Sequence, residues 1–277
     1  MTDRARLLQG AGFNQLAQVA DGYCLYNVND AYIGASIARY GESAALETRL
    51  LAELCHPGDV AMDVGANIGV HTMALARRVG PTGLVIAFEA QRLVFQALCA
   101  NVAINSLGNV ECHWAAVGAA RGVLKVPELA FDRPNNFGGV SLAGAAEGRP
   151  VALVALDDFL AIPRLRLVKI DVEGMEADVI EGAAKLIARL RPILYVENDR
   201  VENSPRLIRL IASLGYDMYW HVAPLFNPAN FYGVSANAFP GLAAFNMLCM
   251  HREAHGAVQG LPKVEGPDSH PLSRQPE

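Results

Sequence analysis

No Cys-x-x-Cys pair occurs in this sequence. Its five cysteines, Cys24, Cys55, Cys99, Cys112 and Cys249, are scattered and odd in number. Neither a disulfide framework nor a zinc ribbon fits that pattern, so reduced thiols in apolar surroundings are expected. Equally absent is any run of Lys or Arg, and the formal net charge is −5. Nucleic-acid binding normally leaves a basic stripe, so no nucleic-acid partner is expected. No apolar stretch is long and uniform enough to span a bilayer. Residues 1–21 lack the apolar run of a signal peptide. The expectation is a cytoplasmic protein with no membrane partner.

What the chain does have is apolar residues, 52% of its 277. That suffices for one large core without metals or disulfides. Three zones differ in texture. Residues 1–59 read as a lead-in, with a hairpin within 23–37 around Asn27-Val28-Asn29-Asp30, then helical spacing over 44–54, stopped at Pro57-Gly58. Residues 60–251 alternate short apolar runs with helical patterns. The runs fall at 60–64, 84–88, 110–115, 167–170 and 193–196. Such alternation means a parallel sheet with helices on both faces, an α/β domain. Two further strand patterns, 216–222 and 245–251, follow without a helix between them and should pair antiparallel. The segment 223–244 between them is long and rich in aromatics. Residues 252–277 are poor in large apolar groups and read as a disordered tail.

Chemistry gathers where strands end. Asp63-Val64-Gly65-Ala66-Asn67-Ile68-Gly69 makes a glycine-rich turn after the first core strand. Open α/β sheets bind ligands at such carboxyl ends. Glu89 closes the next strand, where a carboxylate can accept hydrogen bonds from both ribose hydroxyls of a nucleoside. A dinucleotide fold wants G-x-G-x-x-G, yet Asn67 stands at the second glycine. Asp63 would repel a pyrophosphate but can hold the ammonium of a methionine moiety. Lys169-Ile170-Asp171-Val172-Glu173-Gly174-Met175-Glu176 ends the fourth strand and Glu197-Asn198-Asp199 the fifth. Asp171 should face Glu197 and Asn198 across the cleft, while Glu176 reads as an acid in a first helical turn. Among seven histidines, His71 reads as a packing residue, and His221 opens the aromatic segment.

The runs DVGANIGVHT, VIAFEA, NNFGGVSL, LVKIDVEGMEADVIEGA and PILYVEND, over residues 40–251, resemble the FkbM family of S-adenosylmethionine-dependent methyltransferases. The resemblance implies a Rossmann-like class I methyltransferase fold, seven mostly parallel strands with the last antiparallel. It implies methylation of a hydroxyl on a sugar, polyketide or related metabolite, so the expected partner is a small-molecule or glycan acceptor. Carried over by position, Asp63, Gly65, Asn67 and Gly69 would contact the methionine part. Glu89 would hold the ribose, and Ala115 and Ala116 would flank the adenine. Glu42 and Asp171 complete the expected cofactor set. Asp171, Glu197 and His221 are the candidates for base or acceptor orientation. Asn136, Phe137, Glu173, Asn198, Trp220, Phe226 and Phe231 are the expected acceptor contacts. The acids after the fourth and fifth strands also loosely resemble the magnesium site of catechol O-methyltransferase. Asp171, Glu197 and Asn198 could hold Mg2+ there, though the resemblance does not oblige a metal and none is expected. Two other readings stay open: an NAD-type dehydrogenase, or a non-catalytic cofactor-binding module on the same fold. A homo-oligomer is open as well, through the 223–244 segment.

Overall fold

The computed structural model describes residues 12–273, apart from 142, 143, 145, 146, 255 and 257. Parts of the expected lead-in (1–11) and tail (274–277) lie outside the described residues. The central sheet has seven strands. Five are parallel: β3 (Val60–Val64), β4 (Leu84–Glu89), β5 (Val110–Trp114), β9 (Leu167–Ile170) and β10 (Ile193–Glu197). The last two are β11 (Tyr216–Pro224) and β12 (Ala243–His251). The order across the sheet is β11-β12-β10-β9-β3-β4-β5, and β12 runs antiparallel to both neighbours. The parallel strands and the antiparallel end pair agree with the sequence patterns, and the whole is the class I methyltransferase arrangement that the family resemblance implies.

β3 and β9 are buried at every position, as central strands covered on both faces must be. One face packs Met62, Val64 and Ile170 against Val179, Ile187 and Ile211. The other packs Ala61, Leu167 and Tyr195 against Leu51 and Leu75. Leu51 comes from α2 (Ala45–Leu54) and Leu75 from α3 (Val70–Val79). The helix α4 (Arg92–Ile104) follows β4, and α7 (Ser204–Ser213) follows β10.

Several local expectations are corrected. The hairpin is β1 (Asn14–Val19) with β2 (Gly22–Asn27), turning at Ala20-Asp21 rather than around Asn27–Asp30. Asp30 instead caps α1 (Ile33–Tyr40), its Oδ1 accepting the N–H groups of Tyr32 and Ile33. The helical pattern after the fourth strand forms two short helices, α5 (Glu176–Glu181) and α6 (Ala184–Leu190). Asp157 caps the second of these from a distance, accepting from Leu186 N at 2.8 Å. A three-stranded sheet, β6 (Ala116–Val117), β8 (Arg149–Val154) and β7 (Gly122–Val126), was not read from the sequence.

Residues 258–273, read as part of a disordered tail, pack back on β11. Trp220 N donates to Pro262 O and Val264 N to Met218 O. His270 is buried, its Nε2 2.7 Å from Asn198 O, and its ring meets Trp220 edge-on at 5.1 Å. Backbone pairing, one buried imidazole and the apolar side chains of Val258, Leu261 and Val264 hold the segment on the core.

Candidate active site

A cleft of about 480 Å³ opens at the carboxyl ends of β3, β4, β9 and β10. The sharp turn after β3 forms one wall. Gly65 sits there at φ +77°, and a Cβ on it would overlap the Asp171 carbonyl oxygen. Only glycine lets these two strand ends come so close. Asn67 also takes a positive φ, +51°. Asn and Asp are the residues most often tolerated there.

Glu89 ties this turn to the end of β4. Its Oε2 accepts Asn67 N at 3.0 Å and its Oε1 accepts Gln91 N at 2.7 Å. Burial pushes the Glu89 carboxyl up to about 7, against the pull of those two N–H groups. Gln91 in turn donates to Phe137 O at 2.7 Å, which pins the loop bearing Asn136, Gly138 and Gly139 over the cleft. Ala115, Ala116 and Val117 give an apolar wall beyond Glu89.

The floor is ionic. Lys169 lies opposite Asp63 in the β3–β9 register and is almost wholly buried. Its Nζ stands 3.3 Å from Asp63 Oδ1, 3.3 Å from Asp171 Oδ2, and donates to Gly65 O at 2.8 Å. Burial alone would lower the ammonium's pKa, but Asp171 and Asp63 raise it above its ordinary value. Asp63 also accepts from Thr72 Oγ1 at 2.5 Å. Asp171, Glu173 and Glu197 bring carboxylate oxygens within 4.8 Å of one another. Burial, then the Asp171 charge, pushes the Glu197 carboxyl well above its ordinary value. Glu173 is lifted to about 7 by burial and by Asp171, while Arg200 Nη2, 2.8 Å away, opposes this.

Of the expected cofactor residues, Gly65, Asn67, Glu89, Ala115, Ala116 and Asp171 line the cleft. Three do not. Asp63 is fully buried beneath the floor, where Lys169 and Thr72 hold it, so it acts on the cleft through Lys169. Gly69 faces Leu98, and a side chain there would collide with it, so its task is helix packing. Glu42 fastens the long loop instead, accepting from Asn227 Nδ2 at 2.9 Å and Phe231 N at 3.0 Å.

Of the candidates for catalysis, Asp171 and Glu197 face each other as expected. His221 does not reach the cleft and bonds to Tyr195 Oη at 2.8 Å. Among the expected acceptor contacts, Asn136 and Glu173 line it. Phe137 stacks on Phe131 at 4.4 Å, and Asn198 turns inward to donate to Ser204 Oγ. Asn198 does not line the cleft, so the carboxyl cluster there is formed by Asp171, Glu173 and Glu197 with Lys169 and Arg200 beside them. Trp220 packs on His270 and Phe226 on Tyr40, at 5.3 Å. Phe231 packs beside Tyr232 over Gly41. The long loop meets the cleft through Leu225 and Leu242, aliphatic groups flanking the aromatics. Glu47 and His71 also line the cleft and had not been singled out as site residues. His71 Nδ1 lies 3.0 Å from Thr48 Oγ1, and burial followed by the Lys169 charge lowers its pKa to about 4.

Among known proteins, residues 63–218 match the family model described as the methyltransferase FkbM domain. Methyltransferase 1 of Beauveria bassiana is 28% identical over 142 residues, 44% of this chain and 57% of that protein. The 31-O-demethyl-FK506 methyltransferase FkbM of Streptomyces tacrolimicus is 26% identical over 249 residues, 75% of this chain and 95% of that protein. Thus the chain spans little more than half of the first relative and nearly all of the second. A solved methyltransferase FkbM from Methylobacillus flagellatus superposes with a TM-score of 0.48 at 16% identity, covering 79% of this chain and 55% of that one. Since the matched domain takes in the glycine-rich turn, Glu89 and the Lys169–Glu176 stretch, the chain belongs to the FkbM methyltransferase domain family.

Proposed function

We propose that this protein transfers a methyl group from S-adenosylmethionine to a hydroxyl of a small-molecule or glycan acceptor. The observation that carries the reading is the cleft's division into unlike ends. One end offers the Glu89 carboxylate beside an alanine-lined wall, which suits a ribose and its base. The other offers Asp171 and the bare Gly65 turn, which suits a charged amino-acid moiety. A volume of about 480 Å³ lies in the range of small-molecule sites. Both Glu89 oxygens keep a lone pair after accepting one N–H each, so each can take a ribose hydroxyl.

When bound, S-adenosylmethionine supplies a methyl already activated by its sulfonium charge. The chain then has to align an acceptor oxygen and accommodate its proton. Asp171 and Glu197, whose carboxyl oxygens come within 4.8 Å of each other, are placed to orient that oxygen. Asn136 from the overlying loop and the Leu225–Leu242 pair close the remaining side. The dehydrogenase alternative loses to the family match and to Asn67 in the turn. An FK506 methyltransferase among the relatives supports a polyketide or sugar hydroxyl as acceptor.

The test is methyl transfer from carbon-13-labelled S-adenosylmethionine to a panel of sugar and macrolide alcohols, read by NMR. A methoxy signal that requires the protein is the expected result. A product labelled on nitrogen or carbon would overturn the hydroxyl assignment, and none at all would overturn the activity.

A further inference from the structure

Three side chains from separate elements form one hydrogen-bonded file leading from the cleft to the rim of the sheet. Glu47, in the first turn of α2, is buried and lines the cleft. Its Oε2 accepts from Tyr195 Oη at 3.3 Å and from Asn246 Nδ2 at 2.9 Å. Tyr195 Oη also lies 2.8 Å from His221 Nδ1, and that imidazole is only half-buried. The register explains the alignment. Asn246 of β12 lies opposite His221 of β11 on one side and Glu197 of β10 on the other. Tyr195 is two residues before Glu197 and so lies on the same face.

We propose that Glu47 receives the proton lost by the acceptor during methyl transfer, and that Tyr195 and His221 convey it to solvent. The inference rests on the methyl-transfer reading. As a lone pair of the acceptor oxygen bonds to the methyl carbon, the carbon–sulfur bond breaks with its pair left on sulfur, the O–H pair stays on oxygen and the proton passes to Glu47. The Tyr195 hydroxyl, which donates to Glu47 Oε2 at rest, turns to His221 Nδ1, and Glu47 donates to the Tyr195 oxygen as the hydroxyl proton moves to that nitrogen. The resulting imidazolium releases its Nε2 proton to water, Glu47 is again a carboxylate, and proton exchange of the half-buried ring with water restores the Nε2–H tautomer for the next turnover. No oxidant or further reactant is needed.

The surroundings suit this task. Both hydrogen bonds to Glu47 fall on Oε2, so neither occupies Oε1. Around Glu47 are Lys169 of β9, Asp171 just past its end, Tyr195 of β10 and Asn246 of β12, and next to Tyr195 lie Glu197 of β10 and His221 of β11. From α3, His71 bonds to the neighbouring Thr48. Burial, then Asp171, lifts the Glu47 carboxyl to about 7, with Lys169, Tyr195 and Asn246 opposing. A base is most effective when its pKa lies near the working pH. His221 is held below its ordinary value by burial, so it returns a proton readily. Asp171 is paired with Lys169, Glu173 is bonded to Arg200, and each Glu89 oxygen already accepts an N–H, whereas both bonds to Glu47 fall on one of its oxygens.

Two measurements test this. In the ligand-free protein, nitrogen-15 NMR of the His221 ring should show a step near pH 7, when Glu47 titrates. Glu47→Gln and Tyr195→Phe should both abolish that step. A step that persists in both variants overturns the file. In single-turnover methyl transfer to the best alcohol of the panel, the wild-type rate should rise with pH and level off above about 7. Glu47→Gln should lower it about a hundredfold and remove that rise, within the range typical of general-base loss. His221→Phe should slow turnover about tenfold and be rescued by added imidazole, with S-adenosylhomocysteine affinity unchanged in each variant. Wild-type rates in Glu47→Gln, or no rescue of His221→Phe, overturn the proposal while leaving the methyl-transfer reading intact. Failure of the wild-type protein on every acceptor sinks both.

Discussion

Replacing Lys169 with methionine should destabilise the fold by about 3–5 kcal/mol, the usual cost of removing one partner from a buried ion pair. The structure shows why the upper half of that range applies. Asp63 is wholly inaccessible and has Thr72 as its one side-chain donor besides the ammonium. Asp171 loses its counter-charge and Gly65 O its donor in the same substitution. Methionine fills the space of the lysine stem, so a cavity adds little. The assay is urea unfolding from pH 4 to pH 8. The deficit should be smallest in acid, where a buried carboxyl can take up a proton, and should grow toward neutral pH. Combining Lys169→Met with Asp63→Asn should recover part of the loss. A deficit below about 1 kcal/mol, the scale of a surface pair, or one that does not vary with pH, would refute this account of the floor.

Other consequences follow from the same geometry. Glu89→Ala should weaken S-adenosylhomocysteine binding by roughly tenfold to a hundredfold, since a charge-assisted bond contributes about 1.5–3 kcal/mol. Calorimetry reads this, and unchanged affinity would place the ribose elsewhere. Glu89→Gln should flatten the pH dependence of stability. Burial lifts the folded carboxyl from 4.5 to about 7, so between those values the folded chain binds more protons than the unfolded one, and stability falls as pH rises. The variant loses that slope in urea melts, and an unchanged slope would refute the burial argument. Glu42→Ala should release the 225–242 loop, seen as faster amide exchange at Asn227 and Phe231, with cofactor affinity unaffected. Equal exchange in both proteins would show that the Tyr40 contacts alone hold the loop.

The sheet could be read from the sequence because most of its strands are short, mainly apolar and separated by helical patterns, and because β11 and β12 follow one another with no helix between. The small sheet of β6, β7 and β8 escaped that reading. Gly122–Val126 and Arg149–Val154 are largely exposed and mix charged or glycine positions with valine, so no period stands out. In the site, the residues found were those on turns: Gly65, Asn67, Glu89, Asp171. Those missed lie inside regular elements, Lys169 on β9 and Glu47 on α2, where a charge reads as an ordinary surface group. Their burial depends on neighbours distant in sequence, Asp63 and Tyr195. The aromatic segment misled for a related reason. Flat rings suit an acceptor or a core equally well, and Tyr40, bonded to Ala236 O and Ala238 N, decides for the core.

The central claim is that the cleft between Glu89 and Asp171 holds an S-adenosyl cofactor. Calorimetric titration of the wild-type chain with S-adenosylhomocysteine, and in parallel with NADH, tests it most directly. The account predicts saturable binding of one S-adenosylhomocysteine per chain and no saturable heat from NADH. Folded protein that gives no heat with S-adenosylhomocysteine, or that binds NADH in its place, would contradict it.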